Sequence, residues 1–254
     1  MGRRLASTSM QNLGDNLRQK LRSAEVLTFD CYGTLIDWAM GLSNSFRAVF
    51  GDWADAHRAE LFPIYVEIEA SYERPPYRSY REVVTKTLVQ LAERFSRPLS
   101  SEVHDALARL LPNWLPFADT NDALRRLKRR YRLGVLSNID RDLFAGTAQH
   151  FGVPFDFLIC AEDVRSYKPG LAHFHKVSQQ EDGLGKVIHV AQSLFHDGAP
   201  AKQLDLAFVW INRYKETNTT GVTPLAEFSD LRSLADAVDA AWVPDRGMMD
   251  ESRS

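Results

Sequence analysis

An aspartate at the end of an apolar segment is the first residue of this chain that is placed to do chemistry. Residues 26–29, Val-Leu-Thr-Phe, favour a buried strand, and Asp30 follows at once, before a turn that contains Gly33 and Thr34. The carboxyl edge of a parallel sheet is where α/β proteins build their reactive clefts. A carboxylate that is held there beside an electrophilic carbon, and kept ionised, can act as a nucleophile. The alternative is a buried strand that ends in an aspartate cap.

Two later segments also combine a short apolar run with polar residues, and a third, between them, contains a lysine. Leu-Gly-Val-Leu precedes Ser137 and Asn138, Ser-Tyr-Lys-Pro-Gly contains Lys168, and the apolar run Val-Ile-His-Val-Ala leads towards Asp197. In this order, and together with the first aspartate, the segments resemble the four motifs of the haloacid dehalogenase superfamily. The resemblance covers nearly all of residues 26–213.

The resemblance implies a role for each residue of the predicted catalytic set. Members of the superfamily use the first-motif aspartate, here Asp30, as a covalent nucleophile, and Lys168 would pair with it and favour its ionised form. Asp197 would orient or deprotonate the water that hydrolyses the ester, and Thr34 would bond the Asp30 carboxylate. A simpler alternative for Asp197 is the N-cap of a helix over residues 199–204.

The predicted substrate-binding residues lie close to the catalytic ones in the sequence. The hydroxyl of Ser137 and the amide of Asn138 are suited to hold a substrate carboxylate through hydrogen bonds. Backbone N–H groups of the turn at Cys31 and Tyr32 are candidates to stabilise an oxyanion. The full substrate-binding set is Tyr32, Ser137, Asn138, Gln192 and Ser193.

Two positions distinguish this chain from the phosphatases of the superfamily. Those enzymes carry a second aspartate two residues after the nucleophile, where this chain has Tyr32, and a metal-binding aspartate where it has Gln192. Because Mg²⁺ prefers anionic oxygen ligands, we expect no metal ion and no other cofactor. The segment Asp-Cys-Tyr-Gly-Thr-Leu resembles the dehalogenase branch, which attacks carbon instead of phosphorus.

Other positions depart from the type II L-2-haloacid dehalogenases that the chain resembles. Those enzymes carry a cap arginine that meets the substrate carboxylate and the leaving halide, whereas residues 61–68 contain no arginine. Phe174 stands where the family has a tyrosine, and Gln192 and Leu194 stand where it has serine and asparagine. The nucleophile is intact, but these changes leave the haloacid specificity open. The candidates to replace the cap arginine are Arg47, Arg58, Arg78 and Arg81.

The spacing of apolar residues predicts the elements that must bring the motifs together. Helical spacing dominates residues 40–116, between the first and second motifs, and this region resembles the helical cap of the superfamily. After residue 117, helices alternate with strands, which favours a parallel sheet with right-handed crossovers. We therefore predict an α/β fold with a Rossmann-like parallel sheet core and an inserted helical cap domain.

The predicted boundaries follow from the same spacing. The domains are a polar N-terminal extension at 1–24, the core at 25–39 and 117–243, the cap at 40–116 and a tail at 244–254. The predicted cap helices cover residues 40–50, 56–72, 81–95 and 102–111, and a short helix is expected near residues 16–21. The predicted strands after the cap cover residues 133–137, 155–160, 187–191 and 206–211.

The composition argues against several other classes of protein. The 254 residues are 44% hydrophobic and carry a net charge of −2, which gives no attraction to nucleic acid or to acidic membrane surfaces. No apolar run approaches the roughly 18 residues that span a membrane. The basic N-terminus lacks the apolar core of a secretory signal, although a transit peptide stays an alternative. We expect a cytoplasmic protein without a nucleic-acid or membrane partner, with a homodimer left open, and with Cys31 and Cys160 as buried free thiols.

These features predict a hydrolase that works through an aspartate nucleophile and a covalent ester. The expected substrate is a small carboxylate, an L-2-haloacid or a similar compound, and the opening of a strained cyclic amino acid would use the same chemistry. One alternative is a phosphatase of a small phosphorylated metabolite that uses Tyr32 in place of the second acid. Another is a non-catalytic binding protein on the same fold.

Overall fold

Six parallel strands form the sheet of this protein. The computed structural model describes residues 14–243, so the predicted tail and the first half of the predicted N-terminal extension lie outside the described residues. The sheet order, β3-β2-β1-β4-β5-β6, confirms the predicted parallel α/β core. The strands are β1 (Val26–Phe29), β2 (Arg132–Ser137), β3 (Phe157–Cys160), β4 (Val187–Ala191), β5 (Ala207–Ile211) and β6 (Ala226–Phe228).

The centre of the sheet is the place where the strand order reverses. Phe29 of β1 pairs with Val135 of β2 on one side and with Val190 of β4 on the other. The chain adds β2 and β3 on the first side and then β4, β5 and β6 on the second. Such a reversal opens a crevice at the carboxyl ends of the strands, where open α/β sheets bind ligands. Asp30 directly follows β1 and therefore lies at this crevice.

Helices account for most of the remaining described chain. Residues 14–23 form α1, which covers the short helix that was predicted near residues 16–21. Between β1 and β2 lie α2 (Trp38–Phe50), α3 (Asp52–Ala56), α4 (Arg58–Tyr72), α5 (Tyr80–Arg94) and α6 (Ala106–Leu110). The later helices are α7 (Thr120–Leu127), α8 (Arg141–Ala148), α9 (Ala161–Val164), α10 (Ala172–Gln180), α11 (Ala199–Gln203) and α12 (Leu231–Ala241).

The two faces of the sheet bury different sets of side chains. Because successive side chains of a strand point to opposite faces, Leu27 and Phe29 join one apolar cluster, and Val26 joins another. The first cluster includes apolar residues of α7, α12 and the helices before β2. The second includes Phe174 and Val177 of α10. Helices on both faces explain why the strands contain nearly continuous apolar runs.

The predicted helices between β1 and β2 need two corrections. The helix predicted at 56–72 begins instead at Arg58, because a separate helix, α3, ends at Ala56, where the His57 backbone N–H caps it by donating to the Trp53 carbonyl. The helix predicted at 102–111 is shorter, since a 3-10 turn at Ser101–Val103 precedes α6. The boundaries of the core and cap domains stay predictions.

Two further expectations concern membranes and cysteines. In the described part of the chain, no helix is both long and apolar enough to cross a membrane. Cys31 and Cys160 are free and buried, as predicted.

Candidate active site

The turn after β1 holds Asp30 by its backbone and by its side chain. The Asp30 N–H donates to the Val190 carbonyl over 3.1 Å, and the side chain retains 12% exposure. The hydroxyl of Thr34 donates to Asp30 Oδ2 over 2.9 Å and accepts a bond from the Gln192 N–H over 2.9 Å. Gly33 adopts φ +92°, which disfavours residues with a side chain. Thr34 therefore links the predicted nucleophile to the loop after β4.

Lys168 joins the two predicted catalytic carboxylates. Its ammonium lies 2.9 Å from Asp30 Oδ1, 2.7 Å from Asp197 Oδ1 and 2.9 Å from the carbonyl oxygen of Leu136. An ammonium has three hydrogens, and these three acceptors use all of them. Burial lowers the pKa of Lys168, but Asp197 and Asp30 outweigh this effect, and the pKa stays above its ordinary value. The ammonium is therefore charged, and all three of its hydrogens are bonded within the site.

Asp197 is buried and lies in a single π-helical turn, Leu194–Gly198. Burial raises its pKa, but Lys168 and a hydrogen bond from His189 outweigh burial and hold the pKa well below its usual range. Oδ1 accepts both bonds, while Oδ2 has no partner among the described residues. The N-cap alternative is wrong, because Gly198 occupies the N-cap of α11 and no side chain caps it.

A buried histidine behind Asp197 was missed by the sequence analysis. His189 Nε2 lies 2.9 Å from Asp197 Oδ1, and His189 Nδ1 lies 2.9 Å from the hydroxyl of Thr28. A carboxylate only accepts hydrogen bonds, so Nε2 carries the proton, and Thr28 donates to Nδ1. The signal in the sequence is a single polar residue in the middle of the apolar strand Val-Ile-His-Val-Ala.

The predicted substrate-binding residues all line one cavity of about 550 Å³ that also contains Asp30, Lys168 and Asp197. The Ser137 hydroxyl is buried and has no partner among the described residues. The Asn138 amide both donates to the Lys168 carbonyl over 3.1 Å and accepts from the Lys168 N–H over 2.7 Å, so it positions the lysine loop. The remaining predicted members of this lining are Tyr32, Gln192 and Ser193.

Three of these side chains have partners around the cavity. The Tyr32 hydroxyl lies 2.8 Å from Thr147 Oγ1, and burial raises the pKa of Tyr32 well above its ordinary value. Gln192 Nε2 donates to Glu216 over 3.1 Å. Ser193 Oγ lies 3.1 Å from His196 Nδ1 and accepts the His196 N–H over 3.0 Å. Tyr32 is thus a poor proton donor, and Gln192 presents an amide where a phosphatase has a carboxylate.

The backbone at Cys31 and Tyr32 retains unused donors. Within residues 14–243, no hydrogen bond is recorded for the N–H groups of Cys31 and Tyr32, although the neighbouring N–H groups of Gly33 and Thr34 are bonded within the turn. Unpaired donors beside a reactive carboxylate are suited to stabilise a developing oxyanion.

The arginines proposed to replace the cap arginine do not line the cavity. Arg47 pairs with Asp52 and Asp55, and Arg81 pairs with Asp142. The other two are also engaged elsewhere, since the Arg78 side chain donates to backbone carbonyls at the end of α4 and just after it, and Arg58 lies over the Phe62 ring. That expectation was wrong, because the sequence spacing does not show which helix face meets the cavity. A different arginine, Arg213, bonds the Thr34 carbonyl from the far side of the turn.

The helices before β2 supply cavity residues that the sequence analysis did not identify. One face of α4 and its end contributes Val66, Glu69, Ala70 and Glu73. The further members of the lining that were not predicted as site residues are Trp38, Ala39, Tyr80, His196, Tyr214 and Glu216. Burial lowers the pKa of His196, so this ring favours the neutral form.

Among residues 14–243, no three His, Cys, Asp or Glu side chains are arranged to share a metal ion. Independence from metal ions stays a prediction for experiment.

Comparisons with known proteins agree with this geometry. The family model of the haloacid dehalogenase-like hydrolases matches residues 24–203. The (S)-2-haloacid dehalogenase of Pseudomonas fluorescens is 25% identical over 206 residues, which are 76% of this chain and 86% of that enzyme. The same enzyme of Pseudomonas sp. (strain YL) is 24% identical over 226 residues, which are 85% of this chain and 94% of that enzyme.

A solved structure gives the same result for the fold. The L-2-haloacid dehalogenase of Xanthobacter autotrophicus superposes with a TM-score of 0.74 at 17% identity, and the match covers 85% of this chain and 98% of the other. The fold, the order of the motifs and the match to the family model lead to one conclusion: this chain belongs to the haloacid dehalogenase-like hydrolase family.

Proposed function

We propose that this protein hydrolyses a carbon–leaving group bond through a covalent ester on Asp30. The observation that carries the proposal is the buried triplet in which Lys168 lies 2.9 Å from Asp30 and 2.7 Å from Asp197. The ammonium favours a negatively charged Asp30, and a carboxylate is a nucleophile only in that form. A non-catalytic protein would have no need for this costly burial of three charged groups.

The first step forms the ester. One carboxylate oxygen of Asp30 attacks the carbon that bears the leaving group, a new C–O bond forms, and the halide departs with its electron pair. The opposite side of that carbon must carry the leaving group, so the displacement inverts its configuration. Thr34 and Lys168 hold the carboxylate through one bond on each oxygen, which fixes its direction of attack.

The second step returns the free carboxylate. Water attacks the ester carbonyl, and the N–H groups of Cys31 and Tyr32 are placed to stabilise the oxyanion. Oδ2 of Asp197 is the acceptor that remains for this water. Because Lys168 holds the pKa of Asp197 low, Asp197 is a weak base. Its main contribution is to orient the water. When the intermediate collapses, the C–O bond between the Asp30 carbonyl carbon and the substrate oxygen breaks. One proton of the water passes to that oxygen to give a hydroxy product, and the other is released to solvent as the carboxylate is restored.

The substrate that fits best is a small carboxylate with a leaving group at C2. The two curated relatives above are (S)-2-haloacid dehalogenases that match most of this chain. The Ser137 hydroxyl lacks a partner at the cavity wall and is suited to bind one carboxylate oxygen. We also propose the roles predicted above for the catalytic and substrate-binding residues, and a cytoplasmic location.

A substrate panel tests this function. Halide release from (S)-2-chloropropionate and (S)-2-bromopropionate is measured beside phosphate release from small phosphate monoesters, for the wild type and for Asp30→Asn. We expect halide release by the wild type alone and no phosphate release. Phosphate release that depends on Asp30, without halide release, would favour the phosphatase and contradict the proposal.

A further inference from the structure

The face of α4 that lines the cavity is acidic. Val66, Glu69, Ala70 and Glu73 all line the cavity and follow one another at the spacing of a single helix face. Two of the four are glutamates one turn apart, where like charges repel. The described lining contains no arginine, so the cation that this wall would meet must come from a ligand.

Glu69 is held in place by two hydroxyl groups. Glu69 Oε1 accepts a hydrogen bond from Tyr65 and another from Tyr80, each over 2.8 Å. Burial raises the pKa of Glu69, although the two hydroxyls oppose this rise. A side chain that is fixed in this way presents its carboxyl group in one orientation, which is a feature of binding sites.

Glu73 has no such partner. In the described part of the chain, its side chain takes part in no recorded hydrogen bond or ion pair. Burial and the nearby Glu69 raise the pKa of Glu73 well above its ordinary value, and only Lys168 opposes them. Lys168 has no hydrogen left to donate, because Asp30, Asp197 and the Leu136 carbonyl use all three. Among the described residues, neither glutamate therefore has an ion-pair partner, and a cation bound between them would favour their ionised forms.

The rest of the cavity supports an organic ligand at this wall. The buried hydroxyl of Ser137, at the predicted catalytic end, also lacks a partner and lines the same cavity. Aromatic rings of Trp38, Tyr80 and Tyr214 contribute to the lining. Rings of this kind attract ammonium groups through their faces. No described trio of ligating side chains is arranged for a metal ion.

We propose that Glu69 and Glu73 bind an ammonium group of the substrate, which is therefore a small carboxylate that also carries an amine. The inference rests on the proposed function for the carboxylate and for the reacting carbon. The ammonium forms ion pairs with the two glutamates and thereby favours their ionised forms, while the carbon that bears the leaving group faces Asp30.

Titration calorimetry with unreactive probes tests the inference on the wild-type protein. The probes are straight-chain carboxylates of increasing length, each compared with the amino acid in which a terminal ammonium replaces the terminal methyl, such as pentanoate with 4-aminobutanoate and hexanoate with 5-aminopentanoate. At one length we expect the amino compound to bind at least ten-fold more tightly. In Glu69→Gln/Glu73→Gln the advantage should fall to about two-fold or less, since charge-assisted bonds are lost.

The matched control is Glu67→Gln, which removes an exposed glutamate from another face of α4 and should keep the full advantage. If the double variant does not fold, Glu73→Gln replaces it, because that side chain makes no recorded bond. An amino probe that binds no better than its methyl partner at any length would overturn the inference. An advantage that persists in the glutamine variants, or binding of Mg²⁺ that these variants abolish, would also overturn it. The probes carry no leaving group, so the result does not depend on whether Asp30 forms an ester.

Discussion

His189 donates a hydrogen bond from Nε2 to Asp197 Oδ1 over 2.9 Å, and both side chains are almost completely buried. This bond and the one from Lys168 meet on the same oxygen, which leaves Oδ2 of Asp197 for a water molecule. We therefore expect His189 to act through Asp197, as a positioning residue.

Replacing His189 should slow hydrolysis of the ester more than its formation. A bond to a charged group contributes roughly 1.5–3 kcal/mol, so we expect His189→Leu to lower kcat by about ten-fold or more. The Asp30 ester should then accumulate during turnover of (S)-2-chloropropionate, which mass spectrometry of the intact protein detects. His189→Gln, whose amide can donate, should restore part of kcat.

The control for that variant is Ile188→Ala, because Ile188 belongs to the apolar cluster on the other face of the sheet. It should lose stability without accumulating ester. Equal accumulation in both variants would show that general loosening of the sheet, and not the bond to Asp197, causes the effect.

Asp30→Asn should abolish turnover and preserve the fold. An amide is nearly isosteric with a carboxylate but is a poor nucleophile. We expect the rate of halide release to fall below about one hundredth of the wild-type rate, while the melting temperature stays close to that of the wild type. Mass spectrometry must show that the sample has not deamidated back to aspartate. A homogeneous sample with more than about a tenth of the wild-type rate would contradict the covalent mechanism.

Hydrolysis should not depend on Mg²⁺. Gln192 presents a neutral amide that donates to Glu216, and Tyr32 presents a hydroxyl paired with Thr147. Neither supplies the anionic oxygen that Mg²⁺ prefers. We expect equal rates with and without an excess of EDTA. Loss of activity with EDTA that added Mg²⁺ restores would support the phosphatase alternative instead.

The place of Asp30 could be predicted from the sequence, because it follows an apolar strand and parallel strands end at one edge of a sheet. Its contact with Lys168 was expected from the resemblance to the superfamily, and the two side chains do meet. The role of Asn138 was harder to predict. Its amide bonds the backbone of Lys168 in both directions, and these contacts depend on the path of a loop that sequence spacing does not describe.

The acidic wall could not be predicted from hydrophobic patterns. These patterns assume that polar residues of a helix face the solvent. Glu69 and Glu73 instead line a cavity. A prediction from hydrophobic patterns would place them on the outer surface of the helix. The edge strand β6 was missed for another reason, since its three residues, Ala-Glu-Phe, form no apolar run.

The stability of the protein should fall as the pH drops below neutrality, and His173 should contribute to this loss. Burial lowers the pKa of His173 to about 3. In the unfolded chain His173 binds a proton near pH 6.5, whereas in the folded protein it stays neutral until about pH 3. The stability that is present above pH 6.5 is therefore lost progressively as the pH falls towards 3. Each pH unit below 6.5 lowers the free energy of unfolding by about 1.4 kcal/mol. Urea unfolding at pH 7.5 and 5.5 measures the loss.

His173→Gln should reduce this loss by about 1 kcal/mol. His175→Gln, on the exposed side of the same helix, is the matched control and should leave the loss unchanged. The same pH dependence in wild type and His173→Gln would mean that other groups carry it.

Isotope labelling decides whether Asp30 forms the ester. In the proposed cycle, water attacks the carbonyl carbon of the ester, so the oxygen that leaves with the first product is an old carboxylate oxygen of Asp30. A single turnover in ¹⁸O-labelled water, with the enzyme in excess, should therefore place the label in the peptide that carries Asp30. Enzyme kept in labelled water without substrate should stay unlabelled, and repeated turnovers should transfer the label to the product. Direct attack of water on the substrate would instead label the product at the first turnover and never the enzyme. Label found only in the product would make Asp30 a base or a binding group, because no bond between its oxygen and the substrate would then have formed.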